Sequence, residues 1–169
     1  MVRRLYLAGV LIAVAVSPAV ARAADIDYIQ PAPGPIIRHF EPPPTPYSAG
    51  HRGIDIGASI GTTVVAAAAG TVHFAGQVGG SLFVSIDHAD GIRTTYSFLS
   101  TVLVRKGASV TQGQPIARSG PGGAGDARPN LHFGMIRGDY IDPEPVLVQS
   151  MRRNLWRVIH LAPVEDDAA

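Results

Sequence analysis

Between residues 54 and 141 the chain is cut by glycine into short, β-branched runs, and this pattern constrains the fold more than any other feature. Residues 62–67, 70–74, 82–87, 93–98, 101–104, 114–117 and 131–137 are each of strand length and are separated by turn residues. Glycine at such density opposes helix, because each one costs about 1 kcal/mol relative to alanine in a helix interior. Asp90-Gly91 falls between two of the runs, and both residue types tolerate the positive φ that a tight hairpin requires. The expected fold is all-β: a small antiparallel β-sandwich or barrel-like domain, closed by a short C-terminal helix.

The flanks differ in character. Residues 1–23 open with Arg3-Arg4, run apolar over 5–16 and end in Ala21-Arg22-Ala23, the three-part layout of a signal peptide. The apolar run is short for a membrane span, so the mature protein is expected to be exported to the cell envelope without one; an uncleaved anchor is the alternative. Residues 24–47 hold Pro31, Pro33, Pro35, Pro42, Pro43, Pro44 and Pro46 and form an extended leader, since proline lacks the N–H of a helix or central strand. Residues 36–40 read as a short edge strand, and a plain linker is the other reading of 24–34. The β domain is assigned to residues 48–149. Residues 146–159 put Arg152, Arg153 and Arg157 on one helical face and Leu147, Met151, Leu155 and Val158 on another, which reads as a packed terminal helix rather than a membrane-surface one. Residues 150–169 comprise this helix and a disordered acidic tail.

Removing residues 1–23 moves the formal charge from +1 to −2, and no basic stripe with interleaved aromatics remains, so nucleic acid is not an expected partner. The chain has no cysteine, which excludes disulfides and a lipid-modified cysteine. A bound metal is left as a source of extra stability.

His51 and Asp55 lie four apart, which on a strand puts both side chains on one face. With His132 they make three N/O ligands, the number used by a catalytic zinc site that keeps its fourth position for water. A structural site would normally take four ligands, often cysteines. His51, Asp55 and His132 therefore read as an open Zn2+ site. His39, His73, His88 and His160 read as surface or structurally satisfied histidines.

The order Gly50-His51-Arg52-Gly53-Ile54-Asp55, Gly61-Thr62-Thr63-Val64-Val65, Thr95-Tyr96, residues 104–116 and Leu131-His132-Phe133-Gly134 resembles the lysostaphin/LytM-type zinc metallopeptidases of bacterial cell walls, over residues 38–147. The resemblance implies a duplicated-hybrid-motif β domain in which His51, Asp55 and His132 hold one zinc ion, and peptidoglycan peptides as substrate. It also exposes a departure. Members of that family usually carry Tyr-x-His and His-x-His, whose non-ligand histidines assist catalysis; here the motifs read Tyr96-Ser97-Phe98 and Asn130-Leu131-His132. Asn130 and Tyr96 are left as candidate oxyanion donors. Glu41, Asp87 and Asp126 are candidate replacement bases, and nothing in the sequence selects among them. Two functions follow: a zinc endopeptidase cutting stems or cross-bridges at low intrinsic rate, or a catalytically silent zinc-bearing module that binds peptidoglycan or regulates a partner hydrolase. A biotinyl or lipoyl carrier is rejected, because the only lysine, Lys106, precedes the carrier-like pattern.

Overall fold

Alternation along one strand sets the plan of the molecule. In β9 (Asn130–Arg137) Leu131, Phe133 and Met135 point into the core and are fully buried, while His132 points to the opposite face. In this computed structural model, which describes residues 26–45 and 47–161, β9 lies near the middle of an antiparallel sheet. The expected signal peptide and the end of the acidic tail lie outside the described residues. The other strands are β1 (Ile36–Arg38), β2 (Ile54–Gly57), β3 (Thr63–Val65), β4 (Gly70–Val78), β5 (Ser81–Asp87), β6 (Arg93–Val102), β7 (Ser109–Val110), β8 (Pro115–Ser119) and β10 (Asp139–Ile141). They are ordered β1-β2-β9-β6-β5-β4-β7, with β10 on β9, β8 on β6 and β3 on β8. The fold is thus mostly antiparallel β, with one helix among the described residues, α1 (Pro143–Leu161).

The core lies on the face to which Ile54, Ile56, Val64, Val84, Ile86, Tyr96, Leu131 and Phe133 contribute. Each large side chain buried there contributes about 1.5–3 kcal/mol of transfer free energy. A polar thread crosses this core. The Ala67 N–H donates to the Tyr96 hydroxyl (2.9 Å), Thr94 Oγ1 lies 3.1 Å from that hydroxyl and 2.8 Å from His88 Nε2, and His88 Nδ1 donates to the Ala69 carbonyl (2.8 Å). Burial outweighs the Ala69 carbonyl and the charges of Asp90 and Asp87 and keeps the His88 imidazole below its ordinary pKa, and burial pushes the Tyr96 phenol up to about 12.

β6 is one strand where the sequence suggested two, residues 93–98 and 101–104. Its first half, from Arg93 to Ser97, pairs with β9; from Leu99 to Val102 it pairs with β8. The change of partner falls at Phe98, whose φ of 60° is the one positive value among the described non-glycine residues. An extra residue on β6 between the Tyr96↔Val84 and Leu99↔Leu82 pairs makes this a β-bulge, which bends the strand. The loop from Gly120 to Pro129 joins β8 to β9 and leaves the sheet opposite this bend, opening a cleft.

The proline-rich segment lies along the domain. Tyr28 and Ala32 are buried, the Ile29 N–H donates to the Ala67 carbonyl, and the Val65 N–H donates to the Pro31 carbonyl. β1 then pairs with β2. Helix α1 starts at Pro143, earlier than the sequence suggested, because proline is compatible with the first turn, where no intrahelical N–H bond is needed. Asp142 caps it by accepting the Glu144 N–H (3.0 Å). Val146 and Leu147 pack against the core, but Met151, Leu155 and Val158 are exposed, so the expected packing holds only for the first turns. Polar bonds fix the helix instead: Ser150 Oγ accepts the Tyr28 N–H, and Arg153 and Arg157 both bind Asp27 (2.6 and 2.8 Å).

Candidate metal centre and cleft

Cross-strand register assembles the site. Asp55 on β2 pairs with His132 on β9, and His132 pairs with Ser97 on β6, so the three form a row on the face opposite the core. His51 enters from the turn before β2, held by a backbone bridge to Glu41. His51 Nε2 and His132 Nδ1 lie 3.0 and 2.8 Å from Asp55 Oδ1 and 3.0 Å from each other.

Protonation follows from the partners. His51 Nδ1 lies 2.7 Å from the His39 carbonyl, and a carbonyl only accepts, so Nδ1 donates there and Nε2 faces the centre. A carbonyl that accepts from the far nitrogen of an imidazole fixes the orientation of the ring when the near nitrogen holds a metal. Burial alone would raise the Asp55 carboxyl; the His132 hydrogen bond and the charge of both imidazoles more than offset it and hold the carboxyl below its ordinary value. One ligand atom from each of the three residues lies within 4.8 Å of the other two, two of the side chains being buried, a set and spacing that fit a zinc ion.

The centre opens on a cleft of about 470 Å³ whose wall includes Arg38, Arg52, Phe83, Phe98, Asp126 and Tyr140. Phe98 occupies the Tyr-x-His position, and its ring centroid lies 6.1 Å from His132 and 5.8 Å from Phe83. It is an apolar wall. Tyr96 does not reach the cleft: strand alternation turns it into the core, where it is fully buried, so its hydroxyl is not placed to meet an oxyanion. Asn130 is buried beside the cleft, and its Nδ2 donates to Asp126 Oδ2 (2.8 Å) and to the Arg128 carbonyl (3.2 Å). Both of its N–H groups are occupied, which leaves none for an oxyanion, and its Oδ1 is buried without a partner among the described residues.

Of the three candidate bases the structure brings only Asp126 to the cleft. Asp87 is held by Arg93 and His73 on an exposed patch of the sheet, and Glu41 pairs with Arg38. His39 binds Glu144 at the surface, and its contribution to the centre is its carbonyl. Sequence reading missed Ser97, whose hydroxyl faces the cleft and makes no hydrogen bond among the described residues. Its signal was the even spacing to Thr95 on a strand paired with that of His132.

A β domain with a preformed His/Asp/His centre at the floor of an open cleft is the framework of a metallopeptidase. Residues 49–143 match the model of Peptidase family M23, and the chain belongs to that family. Among curated relatives it is similar to the murein hydrolase activator EnvC of Escherichia coli, with 41% identity over 98 residues, covering 57% of this chain and 23% of that protein. Among solved structures it is similar to the catalytic domain of the antimicrobial peptidase lysostaphin from Staphylococcus simulans, with 30% identity, 65% of this chain and 89% of that one covered, and a TM-score of 0.57. It is also similar to a zinc-containing peptidase from Vibrio cholerae, with 27% identity, 72% and 39% covered, and a TM-score of 0.60. The chain spans only 23% to 48% of the length of the first curated relatives. No helix among the described residues is long and apolar enough to cross a membrane.

Proposed function

We propose that this protein is an exported zinc endopeptidase that hydrolyses peptide stems or cross-bridges of bacterial peptidoglycan at low intrinsic rate. The observation that carries the reading is the convergence of His51 Nε2, Asp55 Oδ1 and His132 Nδ1 at the floor of an open cleft. Zinc held there would polarise a peptide carbonyl and bring a bound water to a pKa of about 7. Phe83 and Phe98 offer the substrate an apolar wall, while Arg38 and Arg52 suit the free carboxylates of wall peptides. The low rate follows from Phe98 and Asn130, neither of which can move a proton.

A second reading is favoured by those same two residues and by the likeness to an activator: a zinc-bearing module that stimulates a partner hydrolase. Peptide release from purified peptidoglycan separates the two. The endopeptidase reading expects slow release by zinc-loaded protein, abolished by chelation and by His51→Ala. The module reading expects no release by the protein alone and faster release when a wall hydrolase is added.

A further inference from the structure

We propose that Asp126 is the general base of the cleft, an inference that rests on the endopeptidase reading. Apart from the metal trio, the ionisable side chains in the cleft wall are Arg38, Arg52, Tyr140 and Asp126. Guanidinium groups have no lone pair to accept a proton and Tyr140 offers a hydroxyl, so among the described residues Asp126 brings the one carboxylate oxygen outside the metal trio to the cleft.

Its geometry suits the task. Asp126 Oδ2 accepts two hydrogen bonds, from the Gly123 N–H (2.6 Å) and from Asn130 Nδ2 (2.8 Å), while Oδ1 makes none among the described residues. One oxygen is clamped and the other keeps its lone pairs. The clamp is itself fixed, since buried Asn130 spends its second N–H on the Arg128 carbonyl. The loop is shaped around this arrangement. A Cβ on Gly122, where φ is +95°, would lie 2.7 Å from Asn130 Nδ2 and 2.8 Å from Asp126 Oδ2. A Cβ on Gly123 would meet the Phe98 ring at 3.1 Å, so Phe98 packs directly on the residue that donates to Asp126. Phe98 and Asn130 thus gain a joint role: neither transfers protons, and both hold the carboxylate that does.

In the reaction, Asp126 Oδ1 takes a proton from water as the water oxygen bonds to the peptide carbonyl carbon, and the carbonyl π pair moves to oxygen. When the C–N bond breaks, its electron pair stays on nitrogen, which takes the proton from Asp126. The products are a carboxylic acid and an amine, and the Asp126 carboxylate is restored.

The test compares the zinc-loaded full chain with Asp126→Asn and Asp126→Glu on a cross-linked stem peptide. Rate, zinc content and affinity for an uncleavable analogue of the peptide are measured for each. The asparagine keeps an oxygen for the two donors, so zinc and peptide binding should be unchanged while the rate falls about 10²–10⁴-fold; glutamate should restore part of it. If the asparagine variant does not fold, Asp126→Ala with added formate gives the same reading, since a diffusible carboxylate should restore cleavage. An asparagine variant as fast as the native protein would overturn Asp126 as base and leave the endopeptidase reading standing. Loss of zinc or peptide binding in parallel with the rate would reduce Asp126 to a structural part of the loop and overturn it too. A zinc-loaded native protein that cleaves nothing would sink the endopeptidase reading, and this inference with it.

Discussion

Asp55 is the member of the metal trio whose replacement gives the sharpest result, because it touches both imidazoles and is nearly inaccessible, at 4% exposure. Asp55→Asn keeps the shape but removes the charge and the strongest acceptor. Two effects should appear. Without metal, the His132 hydrogen bond loses its ionised partner, which costs about 1–3 kcal/mol for a buried, charge-assisted bond. With zinc at about 1,000 times its dissociation constant, the native protein gains about 4 kcal/mol from binding that the unfolded chain cannot match. For a domain of this size each kcal/mol moves Tm by about 3–5 °C, so native protein should melt roughly 12–20 °C higher with zinc than with chelator. The variant, reduced to two imidazole ligands, should bind too weakly to gain more than about 1 kcal/mol at the same zinc concentration. Scanning calorimetry of both proteins, with zinc and with chelator, and metal analysis of each, gives the answer. An equal zinc-dependent rise in the variant, with one zinc still bound, would show that these three side chains are not the ligands.

Two further outcomes are expected. Phe98→His with Asn130→His exchanges the clamp on Asp126 for two imidazoles, so the peptide release rate should rise about tenfold or more and cease to depend on Asp126, whereas Asn130→His alone, which only removes the clamp, should not raise it. Histidine accepts positive φ more readily than phenylalanine, so the first change should not weaken the fold; a folded, zinc-loaded double variant as inert as His51→Ala would mean that the cleft is no latent imidazole site. His88 should make the fold acid-sensitive. Its imidazole is held below 6.5 by burial, so the unfolded chain binds a proton first, and stability should fall as pH drops through 6.5 toward the depressed folded value. His88→Gln should flatten that limb in urea titrations, and an unchanged slope would assign the acid sensitivity elsewhere.

Local pattern was the legible part. Glycine punctuation and β-branched runs revealed the strands, but the strand alternation expected to align His51 with Asp55 does not hold, since β2 begins at Ile54 and His51 reaches Asp55 from the turn before it. Register was hidden. That His132 pairs with both Asp55 and Ser97 depends on which strands become neighbours, which no local signal states. The same gap misplaced Tyr96: its residue type suits a hydroxyl donor, but alternation and pairing turn it inward. The bend at Phe98 was unreadable because nothing in Tyr-Ser-Phe-Leu signals a positive φ, and the residue reads as ordinary strand. The start of α1 was missed for the opposite reason, since Pro143 and Pro145 lack the N–H of a helix interior yet sit in a first turn, where none is needed. Asp126 could not be chosen over Glu41 or Asp87 without knowing which loop lines the cleft with His51, Asp55 and His132.

Phe98 ties these findings together. A phenylalanine in the left-handed region costs about 1–2 kcal/mol relative to the right-handed one, a cost that glycine would avoid. A ring only half-buried, against Phe83 and Gly123, returns less than the roughly 1.5–3 kcal/mol of a fully buried one. The two nearly cancel, so packing alone does not account for an aromatic side chain at the bend. The bend matters because β6 leaves β9 for β8 at this point, and the loop that follows β8 brings Asp126 into the wall of the cleft that His51, Asp55 and His132 also line. A large side chain there closes the gap between bend and loop by packing on Gly123, which donates to Asp126. The strain at Phe98 is therefore best understood as part of the cleft, offset by the rest of the sheet, and not as a defect of the strand.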